Sequence, residues 1–287
     1  MKDDCKKRRK FQACNGYLLE FEQLARVLTF LMANVAQPKV SRDELAEGTG
    51  LAKRQIGSLA SIGAAMGLIR PGNQVLTATG RVIAKHDVFL EARGTLEWCH
   101  YMGAGTFHNL IWYEVFNTIL ANEAPMPADG WMNFLRTALS GQYTDRTIGQ
   151  HLREEVRFIA DAYLERNFKR LGFLHEASDG RLYRRRMTEL TSKILAAMIY
   201  DFGMRTGTEL IQIETLLSQP GSPGVLFALE KQTLSEMAES LHRNNWVRYE
   251  STHNLDQIRL QPGFSSIDFL AAYYDEVEPT PGNMEHA

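Results

Sequence analysis

The sequence predicts a mainly helical α+β fold, and three observations carry that reading. A helix, a capped short helix, a glycine turn, a third helix and a small hairpin follow one another between Glu20 and Thr77. An aromatic-rich stretch from His86 to Leu139 keeps helical spacing. Helix-then-hairpin patterns recur after Arg153 and again after Thr233.

In the first unit, Leu24, Val27, Leu28 and Leu31 recur at helical spacing from Glu20 to Val35, and Pro38 stops the helix. Ser41 and Glu44 have the spacing of a capping box, in which each side chain satisfies the other residue's backbone N–H. A short helix to about Glu47 and the turn Gly48-Thr49-Gly50 follow. The third helix spans Ala52 to Met66, with Ile56, Leu59, Ile62 and Met66 on one stripe and Gly67 as its left-handed cap. Leu68-Ile69 and Val75-Leu76-Thr77 form a hairpin around Pro71-Gly72-Asn73. This order is that of a winged helix-turn-helix. Its third helix packs by one stripe and leaves the other face for a DNA major groove. Lys53, Arg54, Gln55 and Ser58 stand near the start of that helix. Arg and Gln can hydrogen-bond in pairs to guanine and adenine edges. Arg70 and Asn73 fall in the wing, near phosphates.

The middle reads as packed helices holding Phe89, Trp98, Tyr101, Phe107, Trp112, Tyr113, Phe116, Trp131 and Phe134, broken at Pro125, Pro127 and Gly130. Gly141 to Thr147 reads as a loop and Arg153 to Arg170 as a helix. Gly172-Phe173-Leu174, the turn Ser178-Asp179-Gly180 and Leu182-Tyr183-Arg184 then suggest a second hairpin. A Thr233–Glu236 capping box opens a helix to about Arg243. Trp246–Tyr249 and Gln257–Leu260 alternate as a third hairpin around His253-Asn254. The expected division is 1–88 for the basic leader and winged helix-turn-helix, 89–218 for a helical domain with a basic hairpin, and 219–287 for a winged-helix-like end.

Composition sets the bounds. The 287 residues are 44% hydrophobic and 23% charged, ordinary for a globular chain with real cores. Cys5, Cys14 and Cys99 form no Cys-x-x-Cys pair, so neither a zinc ribbon nor a disulfide framework is implied. The longest apolar run, Ile194–Tyr200, has seven residues against the roughly 20 that span a bilayer. The opening MKDDCKKRRK leads into no signal-peptide core, so the expected location is the cytoplasm. A net charge of −2 excludes a protein that coats nucleic acid indiscriminately, so DNA contact must come from local patches. One is the run Lys6 to Lys10, either an arm that grips DNA or a solvated leader. The other lies between Arg166 and Arg186, where seven Lys/Arg stand against Glu176 and Asp179. The tail, with Asp275, Glu276, Glu278 and Glu285, is acidic.

No P-loop, His-Glu-x-x-His or Gly-x-Ser-x-Gly is present, and no tight acidic set marks a metal-dependent nuclease. His100-Tyr101 reads as a proton-transfer pair or, in preference, as a satisfied core histidine beside aromatic packing. The aromatic segment either stacks exposed bases or packs a core, and its helical spacing favours the core. Arg181, Arg184 and Arg186 either clamp phosphates or form a charged edge that resists aggregation. Alternation puts Arg184 and Arg186 on one strand face and Arg185 on the other. Gly221-Ser222-Pro223-Gly224 lacks the lysine and preceding strand of a phosphate loop and reads as a sharp turn.

Several stretches resemble a bacterial family catalogued as a domain of unknown function, whose genes accompany DNA phosphorothioation and phage defence. They are Leu90 to Tyr101, Trp112 to Asn117, Leu171 to Leu174 and Gly221 to Leu229, and in order and spacing the likeness spans about Leu51 to Tyr274. The resemblance implies a double-stranded-DNA-binding component, similar to the nicking subunit of the single-strand phosphorothioation (Ssp) systems. It implies work alongside a cysteine desulfurase and an ATP-dependent sulfur-transfer enzyme. No catalytic residue and no cofactor follow from it, although nicking would call for a divalent metal. Two further readings stand beside this one: a winged-helix transcriptional regulator, and a protein-interaction scaffold without catalysis.

Overall fold

The first unit folds around α1 (Phe21–Ala33), whose Leu24, Val27, Leu28 and Leu31 are buried against α2 (Arg42–Thr49), α3 (Lys53–Ala65) and α4 (Ala78–His86). This is a computed structural model that describes residues 9–11, 14, 16–18, 20–122, 124–252 and 255–277. The expectations on Cys5, on Lys6, Lys7 and Arg8 of the basic run, on the turn His253-Asn254 and on Glu278 and Glu285 lie outside the described residues.

The capping box that opens α2 is present: Glu44 N donates to Ser41 Oγ at 3.2 Å and Ser41 N to Glu44 Oε2 at 2.7 Å. Gly50, at φ +67°, turns the chain into α3. Strands β1 (Ile69–Arg70) and β2 (Val75–Leu76) pair antiparallel, and Thr77 caps α4. Gly80 packs so closely under the hairpin that a Cβ there would sit 2.0 Å from the Leu68 carbonyl oxygen.

The middle is built on α5 (Arg93–Gly105), buried over nearly its whole circumference. Beside it run α6 (Leu110–Glu114), a π-helical turn (Val115–Ile119), α7 (Leu120–Asn122), α8 (Ala128–Leu139) and α9 (Asp145–Leu164). Helix α9 begins eight residues before the expected Arg153. Thr144 caps it by accepting from Thr147 N at 3.2 Å, so the expected loop keeps only Gly141 to Thr144. It also ends early, and Asn167–Leu171 form a 3-10 turn. Strands β3 (Leu174–Glu176) and β4 (Leu182–Arg184) form the basic hairpin, with His175 opposite Tyr183. The strand stops at Arg184, so Arg185 and Arg186 do not continue its alternation.

The last part comprises α10 (Ser192–Thr206), β5 (Leu210–Gln212), α11 (Ile213–Ser218), α12 (Pro223–Leu226), α13 (Lys231–Arg243), β6 (Val247–Thr252), β7 (Leu255–Leu260) and α14 (Ser266–Val277). Its sheet has the order β5-β7-β6, antiparallel throughout, with one strand drawn from upstream of residue 219. The Thr233–Glu236 capping box does not form. Helix α13 starts at Lys231 behind Glu230, and Leu234, Ala238 and Leu241 fix its buried stripe. Helix α14 packs on α10 and α4, where the His86 and Tyr274 rings stack with centroids 5.2 Å apart. Buried apolar side chains from Phe11 to Tyr274 form one contiguous cluster. Among the described residues no helix is long and apolar enough to cross a membrane.

Candidate nucleic-acid interface

Between Phe21 and His86 eight Lys/Arg stand against four Asp/Glu, in a chain whose overall charge is −2. Much of that excess gathers on α3. Lys53 and Arg54 are exposed at its first turn. Lys53 Nζ lies 2.8 Å from Asp43 of α2, an exposed pair of the kind that contributes little and yields readily to a phosphate. The Arg54 guanidinium sits 5.8 Å from the centre of the Tyr17 ring. Gln55 spends its Oε1 on the backbone, accepting from Ala52 N at 3.0 Å, which caps a helix start that has no Ser, Thr or Asp.

Arg54, Gly57 and Ser61 share one helical stripe. Gly57 has no side chain, and the Arg42 guanidinium lies over it, 3.7 Å from where a Cβ would be. Lys10 reaches the same stripe from the N-terminal segment and donates to Ser61 Oγ at 2.7 Å. Burial holds its ammonium below the usual lysine range, while Glu155 opposes that shift. The face therefore carries Arg42, Lys53, Arg54 and Lys10. Arg42 stands inside the capping box, where the sequence reads as a helix start and not as a cation. The glycine in the middle of α3 is the signal that another group lies across it. Ser58 is a correction. It is fully buried, aligned with Ile62 and Ala65, and does not belong to the open face expected for it. Arg70 and Asn73 are exposed at the β1–β2 hairpin. The Asn73 carbonyl accepts from Val40 N at 2.9 Å and ties that turn to the start of α2.

The basic hairpin does not bring Arg184 and Arg186 together as a clamp, although Arg181 and Arg186 stay exposed in surface ion pairs. Arg181 donates its backbone N–H to Asp179 Oδ1 at 3.1 Å and its guanidinium to Oδ2 at 2.7 Å, which hold that carboxyl below its usual range. Arg184 turns inward and donates to the Val225 carbonyl at 2.5 Å. Arg186 pairs with Glu230. The expectation that Arg184 and Arg186 share a face opposite Arg185 does not hold, since Arg186 is exposed beside Arg185. Arg185 is exposed and Arg184 is the one withdrawn, because α12 lies against this end of the strand.

The other motifs are structural. His100 is fully enclosed, its ring edge-on to Phe116, Phe173 and Phe227. Gly221 has φ +82° and donates its N–H to Asn117 Oδ1 at 2.6 Å. Ser222 caps α12, and a Cβ on Gly224 would lie 2.1 Å from the Leu216 carbonyl oxygen. The Gly-Ser-Pro-Gly stretch is thus a packed turn, as expected. Trp98, Tyr101, Trp112, Phe116 and Trp131 are core, whereas Phe89 and Phe107 are exposed. Among the described residues no three His, Cys, Asp or Glu converge to hold a metal ion, so no residue is assigned to one.

Two solved structures share this fold. A magnesium-ion-bound SspB crystal structure aligns with a TM-score of 0.75, and an SspB crystal structure with 0.74. Each is 17% identical and the alignment covers 95% of this chain and 90% of the other, a likeness of fold alone. No curated protein matches the chain. A family model described as a protein of unknown function, DUF4007, matches residues 42–274, from the start of α2 to the tyrosine in α14 that stacks on His86. With most of its length inside that match, the chain belongs to the DUF4007 family.

Proposed function

We propose that this protein is a DNA-binding component of a bacterial DNA phosphorothioation and phage-defence system, and a structural counterpart of SspB. The observation that carries this reading is the fold shared with SspB along 95% of the chain. The sequence resemblance to the phosphorothioation-associated family points the same way. The first unit, 1–88, acts as a winged helix-turn-helix that lays the start of α3 in the major groove, with Arg70 and Asn73 in the wing. The segments 89–218 and 219–287 serve as a helical body and a second winged-like unit. In this reading the protein works in the cytoplasm beside a cysteine desulfurase and an ATP-dependent sulfur-transfer enzyme, and locates the duplex on which they act. Strand nicking belongs to the same proposal, with no residue assigned to it.

Binding to duplexes with and without phosphorothioate, followed across a salt series, tests the first part. Affinity should fall with salt at a slope of about −0.9 per phosphate contacted. Absence of binding to either duplex at low salt would sink it. Supercoiled plasmid incubated with magnesium tests the second, since relaxation by the pure protein marks a nickase.

One observation favours a different reading, in which the first unit is a protein-contact module. Lys10 and Tyr17 of the chain's own N-terminal segment already lie on α3. An α3 that binds a partner peptide and ignores DNA would separate the two.

A further inference from the structure

Phe89 stands 55% exposed on a turn built to hold it outward. The Asp87 carboxylate accepts from both Glu91 N and Ala92 N at 2.9 Å, which locks the turn. Leu90 is fully buried with φ +55°, a left-handed conformation that a branched side chain rarely adopts. The buried Leu90 anchors the turn next to the exposed Phe89 ring.

That ring borders a cleft of about 530 Å³, in the size range of small-molecule sites. Arg26, Glu91, Arg166, Asn167 and Arg170 line it with Phe89. Arg166 is held by Glu20 and Asp161. Arg170 leans on Glu91 through long contacts, 3.2 Å to its carbonyl and 3.3 Å to its carboxylate. Arg166 and Arg170 are therefore matched by carboxylates, and Arg26 donates to a backbone carbonyl, so a bare phosphate gains little here. Asn167 lines the cleft, and its side-chain amide carries both a donor and an acceptor for a ligand. An aromatic face, an amide with both hydrogen-bonding senses and balanced charge fit a neutral planar ring with a mixed donor and acceptor edge. A nucleobase is such a ring. The cleft also adjoins the proposed DNA face. Arg26 donates to the Thr49 carbonyl and lies 3.3 Å from where a Gly50 Cβ would be, at the turn that opens α3.

We propose that this cleft receives a nucleobase turned out of the DNA stack, with Phe89 stacking on its face and Asn167 reading its edge. This inference deepens the DNA-binding reading and rests on it. A DNA-modifying system needs access to a strand inside a duplex, and extruding a base gives it.

The test uses a duplex with one bulged 2-aminopurine, the fully paired duplex and a short single strand carrying 2-aminopurine. Wild-type protein should quench the fluorophore and prefer the bulged over the paired duplex about tenfold, within the range for stacking one base. Phe89→Ala should abolish quenching and preference, Phe89→Tyr should restore both, and Asn167→Ala should weaken them. Arg54→Glu should weaken both duplexes alike and keep the preference. If the wild type binds the duplexes equally and Phe89→Ala changes nothing, the cleft proposal fails and the DNA reading stands. If the single strand is bound through Phe89 but no duplex is, the cleft stands and the duplex reading fails. Binding to none of the three overturns both.

Discussion

The guanidinium of Arg184 donates to the backbone carbonyl of Val225 at 2.5 Å and ties the end of the basic hairpin to α12. Burial pulls its pKa down to about 10, so it remains a cation at neutral pH. Arg184→Ala should therefore act on folding. Losing this charged donor, with Ala228 N at 3.3 Å left as a partner of the Val225 carbonyl, should cost about 1–3 kcal/mol, read as a lower urea midpoint. The salt slope of DNA affinity should stay at the wild-type value. An unchanged midpoint with a slope flatter by about one unit would restore the phosphate-clamp role.

Arg54 and Ser58 stand one helical turn apart on α3 and should behave oppositely. Arg54→Glu places a carboxylate on the exposed face and should cost about 1–3 kcal/mol of DNA affinity, with relaxed sequence preference. Ser58→Ala should leave the footprint unchanged because the hydroxyl is enclosed. A footprint lost with Ser58→Ala and kept with Arg54→Glu would place the reading surface elsewhere.

Local patterns are legible in the sequence, and long-range placements are not. The Ser41–Glu44 box closes within four residues, so its spelling suffices. Thr233 and Glu236 spell the same box, yet Leu234, Ala238 and Leu241 pack a helix that already begins at Lys231. Ser58 escapes the pattern because a small polar residue does not register in an apolar stripe, although it completes the row with Ile62 and Ala65. Strand β5 has three residues and exists through its pairing with β7, about fifty positions on. The inward turn of Arg184 depends on a carbonyl 41 residues away. Of the candidate site, the Lys53-Arg54 start of α3 is readable from order and charge. The approach of Arg42 and Lys10 to the same stripe is not.

Glycines on helices should separate by what surrounds them. Gly149 lies exposed inside α9 with nothing within 4 Å of where a Cβ would be. Gly149→Ala should stabilise by about 0.5–1 kcal/mol through the lower entropy of the unfolded chain. At Gly224 the Cβ would meet a backbone carbonyl that cannot move aside. Gly224→Ala should destabilise by about 1–3 kcal/mol or more. Thermal midpoints shifting in the same direction for both variants would contradict the packing described for the Gly-Ser-Pro-Gly turn.

The last prediction concerns His100 and pH. Trp112 Nε1–H donates to Tyr163 Oη at 3.0 Å, the Tyr163 hydroxyl lies 2.5 Å from His100 Nδ1, and His100 Nε2 lies 3.2 Å from the Leu226 carbonyl. A carbonyl only accepts, so Nε2 carries the proton, Nδ1 accepts from Tyr163, and the chain of bonds selects one neutral tautomer. Burial among aromatic rings lowers the imidazole pKa to about 3, with Arg184 adding to the effect and the Leu226 carbonyl opposing it. An unfolded histidine titrates near about 6.5. The folded value lies below the unfolded one, so between them the unfolded chain binds a proton that the folded chain refuses. Stability from this group is complete above that window and is lost as pH falls through it, by up to about 1.4 kcal/mol per pH unit. Glu97 works in the opposite sense, because burial raises its carboxyl. It is common to wild type and variant and cancels in their difference. His100→Gln removes the titration, and its fixed cost in packing is set by the comparison at neutral pH. From about pH 7.5 to about pH 5 the stability gap between wild type and variant should narrow by about 2 kcal/mol, measured by urea denaturation at each pH. Parallel curves would mean that His100 charges in the folded protein, and the neutral, enclosed tautomer would be wrong.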